Sequence, residues 1–159
     1  MSIDSAASLV LDNEGERLAA YDDATGEPVP VGGAVQGTLT IGVGHTGSDV
    51  HPGAVWSQAQ SRMVFAADLA AAAQGAARVL GTESWSLLNP PIQAVLTDMA
   101  FQLGAEGLSE WPVMLAAIRT GNWPMAEYQL RASRLANEAP RRVSRNASML
   151  MSGTWPVDD

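Results

Sequence analysis

The residues best suited to chemistry lie between Glu14 and His45. Glu14 follows a short helical pattern, Asp23 comes nine positions later, and Thr40 opens a glycine-rich strand pattern that ends in His45. Two carboxyl groups assisted by a hydroxyl can hydrolyse a glycosidic bond, because one protonates the leaving oxygen while the other holds a water. The residue types therefore indicate acid–base chemistry on a sugar linkage.

The two carboxyl groups are expected to differ in protonation. Glu14 lies near the C-terminal end of a predicted helix, where the negative end of the helix dipole disfavours the ionised form. Asp23 lies in a polar turn and is expected to stay ionised, which gives one acid and one base. Hydrolysis by one acid and one base that activates a water predicts inversion, with the two carboxyl groups about 6.5–9.5 Å apart.

The elements that must position these groups are a short helix and a small sheet. Ser5 is a typical cap for a first helix whose inward residues are Leu9 and Val10, and Gly15 suits its end. Residues 18–45 are rich in glycine and contain an alternating run before Gly42, which predicts a small antiparallel sheet.

Helical patterns fill the rest of the chain. Ser57 caps a long helix that runs to about Leu80 and is closed by Gly81. Cap residues, prolines and apolar steps of three and four then predict four further helices. These cover residues 90–104, 109–121, 122–137 and 140–153.

This order of elements predicts an α+β fold in which helix predominates. We expect a single domain over residues 1–159 with two lobes. The N-terminal lobe would span about 12–56 and carry the antiparallel sheet. A connecting helix over about 57–80 would lead to a helical C-terminal lobe over about 82–159, with the first helix, 1–13, packed on that lobe.

Composition excludes several classes of protein. The chain has 159 residues, 47% of them hydrophobic, no cysteine, no lysine and a net charge of −8. This charge argues against nonspecific nucleic-acid binding, and the absence of cysteine excludes disulfides. No uninterrupted apolar run approaches the roughly 20 residues that span a bilayer, so we expect no stable membrane insertion. Residues 1–15 lack a basic start, so we expect no signal peptide and synthesis in the cytoplasm.

The charge is unevenly distributed. Residues 1–60 contain eight acidic residues and one arginine, whereas residues 131–145 contain five arginines and one glutamate. Such asymmetry fits a basic surface that faces an acidic one across a cleft. It fits equally well an ordinary helix with a solvated arginine face.

The motifs resemble those of phage-type lysozymes, glycoside hydrolase family 24. The resemblance in the first half rests on the active-site signature formed by Glu14-Gly15, Arg17-Leu18, Tyr21, Asp23 and Thr40-Ile41-Gly42-Val43-Gly44-His45. The second half resembles the C-terminal lobe of that family in the same order, through DMAFQLG (98–104), NW (122–123), SRLANEAPRR (133–142) and SGTW (152–155). The resemblance implies a lysozyme-like bilobed fold.

The resemblance also implies roles for individual residues. Glu14 would be the general acid, and Asp23 and Thr40 would hold and activate the attacking water. Substrate-binding roles along the sugar groove follow for Phe101, Gln102 and Gln129. The alternative for Phe101 and Gln102 is a core phenylalanine beside a solvated glutamine.

Several side chains would support this site without touching substrate. His45 is expected to pair with Asp68 on the long helix and tie the sheet to it. Arg142, or its neighbour Arg141, is expected to reach the Glu14 carboxyl and orient it. No metal site is expected from the segment HTGSDVH, since a third fixed ligand is not apparent. Asp22 and Glu16 read as ordinary surface acids.

The chain departs from the family pattern between Asp23 and Thr40. These residues are seventeen positions apart, whereas the family places its threonine much closer to the aspartate. Residues 25–37 read as a longer hairpin loop that lines the cleft, caps it or enlarges a surface turn. Thr40 is preferred to Thr25 and Thr38 because it directly precedes the glycine-rich motif.

The predicted function is a muramidase that cleaves the β-1,4 bond between N-acetylmuramic acid and N-acetylglucosamine in peptidoglycan glycan strands. No cofactor is implied. The resemblance suggests a monomeric phage or prophage endolysin, made in the host cytoplasm and released to the wall through a separate holin. Two alternatives are a catalytically idle wall-binding module of the same fold and a lytic transglycosylase.

Overall fold

The computed structural model describes residues 3–156. Within them, the chain forms eight helices and a three-stranded antiparallel sheet, and 59% of the residues are helical. The expected α+β, mostly helical, lysozyme-like fold is confirmed. In chain order the elements are α1 (Ala6–Glu14), β1 (Arg17–Asp22), β2 (Leu39–Gly42), β3 (His45–Thr46), α2 (Gln58–Leu80), α3 (Thr82–Ser86), α4 (Pro90–Ser109), α5 (Pro112–Arg119), α6 (Trp123–Arg131), α7 (Leu135–Glu138) and α8 (Pro140–Ser152).

The described chain divides into two units, each with its own core. Residues 3–13 and 70–156 form the first unit, and residues 14–69 form the second. The interpretation as one domain with two lobes, bounded near 12–56, 57–80 and 82–159, stays a prediction. Residues 1–2 and 157–159 of that span lie outside the described residues.

The second unit is built around the antiparallel order β1-β2-β3. The inner faces of the strands contribute Ala20 and Ile41 to a small core, which Val50 and Trp56 complete. Gly42 has a positive φ of 67°, and a Cβ there would lie 3.0 Å from the Trp56 ring. Glycine is therefore the residue that lets β2 turn tightly against this core.

The first unit is a helical bundle around α4. Leu9 of α1 is fully buried with Val95, Leu96 and Met99 of α4 and Leu150 of α8. The expected caps of these helices are present. Asn89 accepts from the Ile92 N–H at the start of α4, and Ser5 accepts from the Ser8 N–H at the start of α1.

Several helix boundaries differ from those predicted. Gly104 leaves the helical conformation (φ 74°, ψ 165°) as expected, but the chain resumes a helix directly and continues to Ser109. The single helix predicted over 122–137 is two helices, α6 and α7. Between them, the Ser133 hydroxyl donates to the Leu130 carbonyl at 2.6 Å and competes with continued backbone bonding.

Helix α2 begins after the Ser57 cap and ends before Gly81, as predicted. It is the one helix among residues 3–156 whose length and composition would suffice to cross a bilayer. Core helices of soluble proteins can pass the same criterion, so this is weak evidence for a membrane span. The absence of membrane insertion stays a prediction.

Candidate active site

The pairing of β1 with β2 organises the candidate catalytic residues. Tyr21 lies opposite Thr40, and Asp22 lies opposite Leu39. The pairing continues past the end of β1, because the Asp23 N–H donates to the Thr38 carbonyl at 3.0 Å. Since side chains alternate along a strand, Tyr21, Asp23 and Thr40 share one face of the sheet and Asp22 faces the other.

Glu14 is the last residue of α1 and is half-buried. Gly15 follows it with a φ of 72°, the left-handed conformation in which helices commonly end. The chain then enters β1 at Arg17, so a helix end and a strand start hold the Glu14 backbone from both sides.

The pKa of the Tyr21 hydroxyl is raised by burial and by the charges of both candidate carboxylates, Glu14 and Asp23. The charge of Arg17 opposes this rise in pKa. The Arg17 guanidinium stacks 4.4 Å from the centre of the Tyr21 ring.

Thr40 and Asp23 are each oriented by Thr38. The Thr40 side chain is buried, and its hydroxyl donates to the Thr38 carbonyl at 3.2 Å. This bond uses the only hydroxyl proton, so the oxygen is left to accept a hydrogen bond from a water. Asp23 is exposed, and its Oδ1 accepts from the Thr38 N–H at 2.5 Å.

Glu14, Asp23 and Thr40 all belong to the second unit, and Asp23 and Thr40 lie beside Tyr21 on one face of its sheet. The arrangement supplies a carboxyl group that can donate a proton, a carboxylate that can accept one, and a hydroxyl oxygen that can orient a water. The carboxyl separation expected for inversion stays a prediction. Sequence reasoning did not give Tyr21 a role of its own, although its place two residues before Asp23 on a strand would have suggested one.

The expectation that Asp22 is a surface acid is wrong. Its side chain is 3% exposed and accepts three backbone N–H groups, from Ala24 (3.0 Å), Gln36 (2.5 Å) and Gly37 (3.0 Å). These bonds, the one from Gln36 foremost, lower the pKa of Asp22, although burial opposes them. The signal that could have revealed this is the strand alternation, since Asp22 shares its parity with the buried Ala20.

Glu16 is also more than a surface acid. Its carboxylate accepts from the Ser61 hydroxyl at 2.8 Å and pairs with Arg62 at 3.0 Å, and its side chain is 15% exposed. Ser61 itself is buried at the start of α2. Glu16 therefore fixes the segment before β1 to the first turns of α2.

His45 lies between two aspartates. Its Nδ1 lies 2.7 Å from Asp68 Oδ2, the contact expected from the sequence, and its Nε2 lies 3.2 Å from Asp49. Burial alone would lower the pKa of His45, but the hydrogen bonds with Asp68 and Asp49 outweigh it and raise the pKa. The ring also stands 5.4 Å from Trp56, so the imidazole joins the sheet, the following turn and α2.

The predicted substrate-binding residues all lie in the first unit. Gln129 is half-buried on α6 and lines an open pocket of about 380 Å³ together with Trp111 and Ser133. Phe101 is half-buried and Gln102 is exposed, both on α4 before the kink at Gly104. Their contact with a glycan stays a prediction.

Arg142 belongs to a buried polar network. Its guanidinium lies 3.2 Å from Asp98, which is fully buried and also accepts from Asn13 (2.8 Å) and Asn146 (2.7 Å). Asn13 directly precedes Glu14, so the network fixes the end of α1. The role of Arg142 or Arg141 in orienting Glu14 stays a prediction.

The arginines of residues 131–145 have acidic partners within the first unit. They pair as Arg131 with Glu127, Arg134 with Glu138, Arg141 and Arg145 with Asp12, and Arg142 with Asp98. The basic segment is therefore at least partly neutralised by local ion pairs. Among residues 3–156, no group of three or more histidine, aspartate or glutamate side chains could hold a metal ion.

Comparison with known proteins gives two matches. A family model described as phage lysozyme matches residues 12–144. The pre-baseplate central spike protein Gp5 of Enterobacteria phage T4 is 26% identical over 176 residues, an alignment that covers 94% of this chain and 28% of that protein. The chain therefore spans less than a third of the length of that relative.

Proposed function

The chain belongs to the phage lysozyme family, and on that premise we propose that it is a muramidase. Membership of the family implies peptidoglycan hydrolysis. The proposed bond is the β-1,4 linkage between N-acetylmuramic acid and N-acetylglucosamine. Glu14 is the general acid, Asp23 and Thr40 position and activate the water, and the anomeric configuration inverts.

The observation that carries the proposal is the environment of Tyr21. Thr40 lies opposite it in the sheet, and the carboxylates of Glu14 and Asp23 both act on its hydroxyl. Three groups of the types required for glycoside hydrolysis thus lie in the second unit, and two of them, Asp23 and Thr40, share the sheet face of Tyr21. The resemblance of residues 40–45 to the family signature supports the same assignment.

The proposed reaction uses these groups in one displacement. Glu14 donates its proton to the glycosidic oxygen as the bond to the sugar carbon breaks. Asp23 accepts a proton from the water, and Thr40 accepts a second hydrogen bond that orients it. The oxygen of the water forms the new bond to the sugar carbon, so the products are a free alcohol and an inverted hemiacetal.

A turbidity assay on purified cell walls tests the enzymatic assignment. We expect the native chain to clear the suspension and Glu14→Gln to lose nearly all of this activity. Glu27→Gln is the matched control, because Glu27 is an exposed acid of the same unit with no assigned role. Equal clearing by the native chain and Glu14→Gln would refute the proposal.

Product analysis tests the reaction type. Hydrolysis in ¹⁸O-labelled water adds the label to the released reducing ends, and nuclear magnetic resonance at early times reports their anomeric configuration. A lytic transglycosylase would instead release unlabelled anhydro ends, since it uses no water. Inverted, labelled products are expected.

The idle wall-binding module remains the alternative from another class of protein. It predicts that the chain sediments with insoluble walls while releasing no sugar, and that Glu14→Gln binds equally well. The presence of both carboxyl groups and of Thr40 in the second unit favours the enzyme.

The proposal also covers where the protein is made, how it reaches the cell wall and its oligomeric state. We expect synthesis in the host cytoplasm, release to the wall through a separate holin, and a monomer. Expression in a bacterial host with and without a co-expressed holin, scored by lysis, tests the release route. Sedimentation equilibrium tests the monomer.

A further inference from the structure

The long loop between β1 and β2 folds back on the strand from which it leaves. The Asp22 N–H donates to the Glu27 carbonyl at 3.0 Å, and the Val29 N–H donates to the Ala20 carbonyl at 3.0 Å. A turn closed by the Gly33 N–H and the Pro30 carbonyl then reverses the chain. The outgoing limb of the loop, residues 27–29, is thus paired with β1 rather than extended into solvent.

The returning limb of the loop, residues 36–38, is held by the buried carboxylate of Asp22. Asp22 accepts from Ala24 at the start of the loop and from Gln36 and Gly37 at its end. Hydrogen bonds from backbone N–H groups to a carboxylate are stronger than neutral ones. Asp22 therefore joins the two ends of the loop at a point directly before Asp23.

The returning limb in turn contacts the Asp23 carboxylate. The Thr38 N–H donates to Asp23 Oδ1 at 2.5 Å, and a Cβ added at Gly37 would lie 2.2 Å from the same oxygen. Glycine at 37 thus allows this close approach of backbone to carboxylate. Among residues 3–156, no hydrogen bond engages the other oxygen of Asp23, which is available to a water.

We propose that Asp22 is a positioning residue for the reaction, and that it holds the loop end 36–38 so that the Asp23 carboxylate keeps one orientation. The inference rests on the proposed function, in which Asp23 activates the water. Asp22 touches neither water nor sugar. It acts through Gly37 and Thr38, and the loop that lengthens the gap between Asp23 and Thr40 provides the means of orienting Asp23.

The expected effect is large because catalytic geometry tolerates little error. A displacement of about 1 Å in a reacting group can cost on the order of 10²-fold in rate. Asp22→Asn removes the charge and turns an N–H₂ group toward backbone donors. We expect kcat to fall by about 10–100-fold while KM changes by less than about 2-fold, since Asp22 does not contact the substrate.

A double-mutant cycle separates positioning from a general loss of folded protein. Asp22→Asn is introduced into the native chain and into the Asp23→Ala variant, and muropeptide release is measured in all four proteins. If Asp22 acts by positioning Asp23, Asp22→Asn should lower the activity of the native chain strongly. It should leave the residual activity of Asp23→Ala almost unchanged. A general structural role lowers activity by the same factor in both backgrounds and would overturn the proposal.

A second variant leaves Asp22 intact. Gly37→Ala pushes a methyl group against Asp23 Oδ1 and against Ala24, so it should shift the loop end and reproduce the loss of kcat with little change in KM. Gln36→Ala is the matched control in the same limb, because it keeps the N–H that Asp22 accepts and removes only an exposed side chain. Its kcat should stay within about 2-fold of the native value, since surface substitutions of this kind have small effects.

A structural measurement covers the case in which the chain shows no hydrolysis. Amide hydrogen exchange at Gln36, Gly37 and Thr38 should quicken at least 10-fold in Asp22→Asn, with the amides of α4 unchanged.

Unchanged exchange at 36–38 refutes the proposal regardless of activity. An inactive native chain with the expected exchange pattern refutes the proposed function but leaves the role of Asp22 in ordering the loop established. Native activity retained in Asp22→Asn refutes the positioning role alone.

Discussion

Tyr21 of β1 lies directly opposite Thr40 of β2, although the chain between them is eighteen residues long. Asp23 and Thr38 continue the same pairing two residues further, through the bond from the Asp23 N–H to the Thr38 carbonyl. The register therefore sets the distance between Asp23 and Thr40, and the length of the loop does not. An insertion in this loop can lengthen the sequence gap and leave the two residues as close as a short hairpin would.

Thr40→Val tests the role of the buried hydroxyl. The two side chains have nearly the same shape, so the strand should remain packed while the acceptor for the water disappears. We expect kcat to fall by about 10–100-fold with KM nearly unchanged, a loss typical of a misoriented reactant. Steady-state kinetics on soluble glycan fragments would measure it. Thr38→Val is the control, because Thr38 is exposed and acts through its backbone, and an equal loss there would contradict the role of Thr40.

Asp68→Asn tests the pairing with His45. The raised pKa of His45 means that the charged pair stabilises the fold fully below the ordinary histidine pKa of about 6.5, and that this contribution is lost as pH rises through the raised value. The free energy of unfolding should fall by about 1–2 kcal/mol at pH 5.5 and by less at pH 9. Urea denaturation at both pH values measures the difference.

Asp49→Asn is the control for this measurement. Asp49 contacts the other nitrogen of His45 but its side chain is 63% exposed, so the stability loss should be smaller than for Asp68→Asn. A loss for Asp68→Asn that does not change with pH would show that the contact stabilises without the imidazolium charge.

Asp98→Ala tests the buried network of the first unit. Asp98 is fully buried and bonded to Asn13, Asn146 and Arg142, and breaking a buried ion pair typically costs about 3–5 kcal/mol. Arg134→Ala removes a pair with Glu138 whose side chains are 92% and 52% exposed, and it should cost less than about 1 kcal/mol. Equal losses in thermal unfolding would contradict the assignment.

Asp12→Asn should show the opposite pH dependence to Asp68→Asn. The hydrogen bond from Arg145 lowers the pKa of Asp12, although burial opposes it, so the pair stabilises above the ordinary aspartate pKa of about 3.9. This contribution is lost as pH falls through the lowered value. We expect a cost of up to about 1 kcal/mol near pH 7 that disappears by about pH 3. Urea denaturation across this range would detect it, and a constant cost would refute it.

Much of the fold followed from local patterns. Caps at Ser5, Ser57 and Asn89 and the alternation before Gly42 gave the kinds and order of most elements. Such signals are local because a helix bonds within itself and a cap satisfies its own first turn. The break between α6 and α7 was missed because a polar side chain that interrupts a helix has no distinctive sequence pattern.

The sequence by itself determined which chemical groups the chain carries, at Glu14, Asp23 and Thr40, and the helix end and strand that bear them. Only the tertiary structure decided that Asp22 is buried and that it holds the loop end next to Asp23. The same is true of Asp98, which bonds with three side chains from two other helices. Those contacts join residues up to 85 positions apart. They depend on strand register and on helix packing, which arise when whole elements bury their apolar faces together and are not encoded in any short segment.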